Sequence, residues 1–402
     1  MGVGIELDTE NSIRKYQVCK PVTPQKTSVE AILLRFFRLY IRYRKKYLKF
    51  AKFNCQSRSN MKSYIISVLF ALLSLAAYAQ DSELLTLRVE ARLDYMQEYV
   101  DDLKINGNSG FKGKYLNIRM DGNLTDGLSY SYRQRLNKPN SNASFFDATD
   151  WLTLTYKYKN WSVSAGKQVV AIGGYEYDRA PIDLYFCSEY WNNIACYQMG
   201  VSGAYTTSAG NDQILLQVCE SPFRRNAINV NNDEMFAYNL MWYGSHGFFS
   251  TMYSVNFMEY LPGKYINYIA LGNRFSFGNF ALELDFMNRA VSGSQFFVND
   301  YSVMGELSWR PVDRLNVFLR ATYDCNKTVT GDLCVVPGTS LLRAGAGVEF
   351  YPIKNYRNFR LHLNCCYTDG DSPSTTVLRP EQTIVDAGLT WYVNMLNIKR
   401  KK

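Results

Sequence analysis

The chain has 402 residues and is rich in aromatics, with 31 Tyr and 23 Phe, yet its mean hydropathy of -0.24 is too low for a bundle of membrane-spanning helices. Its formal net charge of +9 would suit a nucleic-acid partner, but residues 1–79 carry 14 Lys and Arg against 4 Asp and Glu, while the remainder carries 31 against 32. The basic excess belongs to the leading segment, so the body of the chain has no field that attracts a polyanion.

In chain order, residues 1–60 include the basic, aromatic run RFFRLYIRYRKKYLKFAKF (35–53). MKSYIISVLFALLSLAAYAQ (61–80) then supplies Lys62, an apolar stretch and Ala77-Tyr78-Ala79 before Gln80, the three regions of a secretory signal peptide. The apolar stretch is shorter than the roughly 20 residues of a spanning helix. Such a peptide begins a chain, so residues 1–60 are expected to be an over-extended translation start or a segment removed with the leader. Residues 61–79 are the signal peptide and 80–402 the mature domain.

LTLRVEARLDY (85–95) alternates without exception between apolar and polar residues, the period of a strand with two unlike faces. The pattern returns, predicting sixteen strands at 84–95, 111–124, 128–137, 150–158, 161–168, 195–206, 212–219, 234–243, 248–257, 265–275, 280–288, 299–310, 315–324, 341–351, 359–368 and 383–394. Short connections (125–127, 159–160, 244–247, 276–279, 311–314) alternate with long ones (96–110, 138–149, 169–194, 220–233, 289–298, 325–340, 369–382), and 258–264 is shorter than the others on its rim. A sandwich has no reason to alternate in this way, whereas an outer-membrane barrel has short turns on one rim and loops on the other. The fold class is therefore all-β, a transmembrane antiparallel up-and-down barrel.

Lipid must face the apolar side of each strand, because a charge there costs about 2–4 kcal/mol near the midplane. Arg88, Arg92, Arg119, Arg133, Arg135, Arg320, Arg343 and Arg360 accordingly line the lumen. Acids such as Glu90, Asp94, Asp121, Glu283, Asp285, Glu306 and Glu349 share those faces and balance them. Tyr95, Trp151, Trp161, Trp242, Trp309, Trp391 and Tyr392, near strand ends, suit interfacial girdles. The third long connection, 169–194, mixes Gly173-Gly174, aromatics and both charge signs, which fits a constriction loop folded inward with Tyr175, Tyr177, Asp178, Arg179, Asp183, Tyr185 and Glu189. Cys187 with Cys196, and Cys325 with Cys334, flank two long connections and are disulfide candidates in an oxidising envelope. With two His in the whole chain, and no HExxH, phosphate-binding loop or CxxC, neither an enzyme, a cofactor nor a metal is expected.

LTLRVEARLDY, the WSVSAGKQ strand (161–168) running into GGYEYDRAP, and GLTWYVN (388–394) resemble the phosphate-selective porin O and P family, in the form found in Gram-negative Bacteroidetes. The resemblance covers nearly all of the mature chain. It implies a sixteen-stranded outer-membrane porin, usually a homotrimer, whose third long loop enters the lumen and whose solutes are small and hydrophilic, anionic or phosphate-like ones among them. Two other functions suit the same pattern, a substrate-specific channel for sugars and a non-conducting surface anchor or adhesin.

Overall fold

The computed structural model describes residues 83–137, 146–225, 233–291, 296–328, 334–373 and 379–399. The expected leader at 1–60 and signal peptide at 61–79 lie outside the described residues. Sixteen long strands follow one another: β1 (Glu83–Val100), β2 (Gly110–Asn123), β3 (Leu128–Arg135), β4 (Thr149–Tyr158), β5 (Trp161–Val169), β6 (Tyr197–Thr206), β7 (Asp212–Glu220), β8 (Phe236–His246), β9 (Phe249–Leu261), β10 (Lys264–Phe277), β11 (Phe280–Ala290), β12 (Asp300–Val312), β13 (Leu315–Asn326), β14 (Ser340–Phe350), β15 (Phe359–Asp371) and β16 (Gln382–Lys399). A two-residue strand, Leu103–Lys104, hooks back onto Tyr99 and Val100.

Each strand pairs antiparallel with its chain neighbours, and β1 also pairs along its length with β16, Ala91 opposite Trp391. The sheet is therefore closed, the arrangement that leaves no backbone N–H or C=O facing hydrocarbon without a partner. Tight connections such as 159–160, 247–248, 278–279 and 313–314 share one rim with both ends of the barrel. The opposite rim carries the connections that follow β1, β3, β5, β7, β9, β11, β13 and β15.

Alternation sorts the two faces. On β1, Leu93 and Tyr95 are exposed on the outside while Glu90, Arg92 and Asp94 are buried inside. On β14 and β15, Leu342, Val348, Phe350, Leu361 and Leu363 are exposed against buried Arg343, Glu349, Arg360 and His362. Tyr95, Trp161, Trp242, Trp309 and Trp391 are likewise exposed outside.

Two expected girdle aromatics turn inward instead. The β3–β4 register shifts between Arg133 and Gln134, with Arg133 opposite Trp151 and Gln134 opposite Thr149, so Asp150 is an extra residue. Trp151 alternates with the exposed Leu152, Leu154 and Tyr156 and so lies on the inner face, where the guanidinium carbons of Arg119 and Arg133 lie 5.4 and 5.0 Å from its ring centre. Tyr392 points the other way from its neighbour Trp391 and donates to Asp183 Oδ1 at 2.5 Å. The expected connection at 258–264 is a two-residue turn, residues 262–263. Strand pairing there continues with Met258 opposite Ile266 and Glu259 opposite Tyr265, lengthening both strands, and Gly263 makes the turn with φ +70°.

Leu93 sits near the middle of β1 on the outer face, 53% exposed. Leu93→Arg is expected to cost on the order of 2–4 kcal/mol of barrel stability, while Leu93→Ile leaves folding intact. The fraction of chain that migrates as a compact species on a gel before boiling reads the difference, and equal fractions for the two variants would show that position 93 does not meet lipid.

Candidate functional site

The interior is organised by residues 170–196, which leave β5 and cross to the far wall. The backbone makes the first attachment, because two glycines remove any side chain that would hold it off. Gly173 N donates to Ser254 Oγ at 2.8 Å and Gly174 N to Met252 O at 3.1 Å. Gly174 has φ +106°, and its Cα lies so close to Gly272 of β10 that a methyl group on Gly272 would stand 2.8 Å from it. Asp285 of β11 then accepts from Glu176 N at 2.7 Å, starting the short helix α1 (Tyr175–Asp178). A 3₁₀ turn (Pro181–Asp183) and α2 (Glu189–Asn193), capped where Ser188 Oγ accepts from Trp191 N, complete the segment.

Charge pairing fixes the rest. Arg179 reaches Glu283 at 2.5 Å and Glu306 at 2.7 Å. Asp183 takes Arg360 at 2.6 Å, and Tyr185 donates to Glu349 at 2.7 Å. Arg92 of β1 donates to Leu184 O at 2.5 Å while bound to Asp94 at 2.8 Å, and its carbon lies 4.6 Å from the Tyr185 ring centre. Arg320 donates to Phe186 O at 3.2 Å and flanks Glu176 at 3.6 Å. Asp324 accepts from Glu189 N at 2.7 Å. Burial pushes the Glu189 carboxyl above its usual range, and the Asn193 amide offsets this in part by donating to it.

These contacts divide the arginines expected to line the lumen. Arg92, Arg320 and Arg343 are 5% exposed or less, so they secure the loop from behind and do not face open water; Arg343 lies under the Phe186 ring. Arg119 and Arg135 stand on the opposite wall and line a cavity of about 810 Å³ with Lys167, Asp150 and Trp151, and Arg133, which also borders it, is 2% exposed and held by Glu90 at 3.1 Å. Arg360 and Arg320 border a second cavity of about 380 Å³. Arg88 lies near the start of β1, bonded to Asn394 at 3.0 Å. Of the expected loop residues, Asp178 and Arg179 border both cavities, while Tyr177 and Glu189 are buried. Tyr175, Asp183 and Tyr185 border the smaller cavity. Lys167 and Gly272 were not found from the sequence: in WSVSAGKQ Lys167 has the outward parity of Trp161, Val163 and Ala165, and it is buried only because the strand becomes irregular at Gly166, φ +121°.

Neither expected disulfide is present. Cys187 donates to Asn192 Oδ1 at 3.3 Å, and Cys334 accepts from the Tyr268 hydroxyl at 3.6 Å. Cys196 follows α2 and Cys325 is buried at the end of β13, both as free thiols. Burial raises the Cys187 thiol well above its usual range, which keeps it protonated and unreactive. Among the described residues one group has ligand-like spacing, Asp94, His362 and Asp386. Arg92 already neutralises Asp94, and Asn364 donates to Asp386 at 2.5 Å, so the group is a structural ion cluster.

Residues 85–259 match the model of the phosphate-selective porin O and P family. No curated protein matches the chain. Among solved structures, the anion-selective porin from Comamonas acidovorans is 13% identical, with 77% of this chain and 99% of that chain covered at a TM-score of 0.53. The outer-membrane channel DcaP of Acinetobacter baumannii is 13% identical over 76% of this chain and 96% of that one, also at 0.53. The trimer form of OmpT, an outer-membrane protein of Vibrio cholerae, is 11% identical over 77% and 99%, at 0.50. At these identities the likeness is one of fold.

The glycine contact gives a direct test of the loop's seat. Gly272→Ala is expected to push 173–175 off β10 and make residues 170–196 cleavable by protease in the folded barrel, at least several-fold faster than in the parent. An unchanged cleavage rate would mean that side-chain pairing alone holds the loop.

Proposed function

We propose that the chain is an outer-membrane porin of a Gram-negative bacterium, a water-filled channel for passive diffusion of small hydrophilic solutes and not an enzyme. The observation that carries this reading is the one-sided seat of residues 170–196. Pinned to β9–β15 and to β1, they leave the β2–β8 side of the lumen as a cavity of about 810 Å³ lined by charged, aromatic and aliphatic side chains. Arg119, Arg133, Arg135 and Lys167 face it from the wall and Asp178 and Arg179 from the loop. Charges of both signs border a narrow aqueous passage where fields act more strongly than in bulk water. Asp121 pairs with Arg119 at 2.7 Å, Glu90 with Arg133 at 3.1 Å and Asp150 with Arg135 at 2.9 Å, so the wall offers solutes paired charges of both signs. The family match and the porin folds support the same reading. Export through a signal peptide at 61–79, with 1–60 absent from the mature protein, and assembly as a homotrimer belong to the proposal; a porin-like barrel of the same fold has a trimer form.

Purified protein in a planar bilayer is expected to give steady ohmic conductance, and its absence would reject the channel. Arg179→Gln strips Glu283 and Glu306 of their shared cation at the edge of both cavities, so the reversal potential in a salt gradient is expected to move toward cations. Arg357→Gln, in the β14–β15 connection on the rim of the tight turns and 55% exposed, is expected to change it little because salt screens charges there within about 8–10 Å. Equal shifts from both would place the selective charges elsewhere.

A further inference from the structure

The smaller cavity, about 380 Å³, lies between the loop and the β10–β15 wall, in the range of small-molecule pockets, roughly 300–1,000 Å³. Its charged lining is almost fully cross-paired. Arg179, Arg320 and Arg360 are held by the carboxylates already described, and Arg274 has Glu283 at 3.5 Å. Two groups are left over. Among the described residues Arg310 of β12 has no carboxylate partner, and its Nε is buried with no hydrogen-bond acceptor. Asp178, at the end of α1, has no cation partner, and its carboxylate is exposed to the lumen.

One unmatched cation and one unmatched anion bordering a single cavity are complementary to a ligand that carries both signs. We propose that this cavity is a binding site for small zwitterions of the amino-acid or dipeptide class, with the ligand carboxylate on Arg310 and its ammonium on Asp178. A monovalent anion or cation satisfies only one of the two, and a neutral sugar neither; a zwitterion satisfies both and leaves the net charge of the lumen unchanged. Because Asp178 also borders the larger cavity, the site opens onto the proposed solute route. This inference rests on the channel reading and deepens it.

Three probes of one size separate the terms: alanyl-alanine, its N-acetylated form, which has lost the ammonium, and its C-terminal amide, which has lost the carboxylate. In single-channel recordings alanyl-alanine is expected to interrupt the ion current at about tenfold lower concentration than either derivative. Asp178→Asn is expected to bring alanyl-alanine to the level of the N-acetylated form in the parent, and Arg310→Gln to the level of the amide. The comparison of probes on the parent protein needs no variant, and migration before boiling verifies that both variants are folded. Steady conductance with equal response to all three probes, or variants that keep the parent's preference, would overturn the zwitterion site and leave the channel standing. Absence of conductance would overturn both.

Discussion

A strand in hydrocarbon has no water to which its edge can turn, and the pairing of β1 with β16 answers that constraint by leaving no edge at all. Closure then dictates the rest. With lipid outside, every second side chain is apolar, and the intervening ones, excluded from lipid, are gathered into a shared interior. That interior holds arginines and carboxylates in nearly equal number, and it is too wide for wall residues to satisfy one another across it.

The segment 170–196 resolves this by bringing polar groups to the middle. Its carbonyls at Leu184 and Phe186 accept from Arg92 and Arg320, its Arg179 meets two wall glutamates, and its Asp183 meets Arg360. Breaking one such pair strands a buried charge, which typically costs about 3–5 kcal/mol; replacing one end of the loop therefore disturbs the wall as well. The loop is held more like a core element than like a surface connection, and its one-sided placement is what leaves the β2–β8 side open to solvent.

The barrel was legible in the sequence because a period of two and the alternation of short and long connections are local signals. Which arginine faces water was not. Arg92 and Arg119 occupy equivalent positions in their strands' alternation, and only the path of a connection some 50 or more residues further along decides that the first is covered and the second is open. Trp151 was misplaced because its indole suggested a girdle position, although in WLTLTY it shares the parity of Thr153 and Thr155 and opposes the exposed Leu152, Leu154 and Tyr156. The cysteine pairs looked suitable by spacing alone, but their sulfurs are directed to different neighbours. The shortened connection at 262–263 was hidden because strand pairing runs on past the expected strand end.

The seam between the first and last strands has a consequence for biogenesis. Arg88 meets Asn394 across 306 residues of chain, and Glu83 meets Asn397 across 314. Among the described residues, wall contacts of such separation gather at this seam, Gln382 with Glu98 and His362 with Asp94 included, since each remaining strand finds its partner next in line. The N-terminal strand must therefore wait, with one side unmatched, until the C-terminal strand has arrived. During that interval the growing sheet can recruit a foreign strand or another copy of itself. A chain of this topology depends on something to shield its first strand, and the seam is the last part of the molecule to acquire protection from exchange.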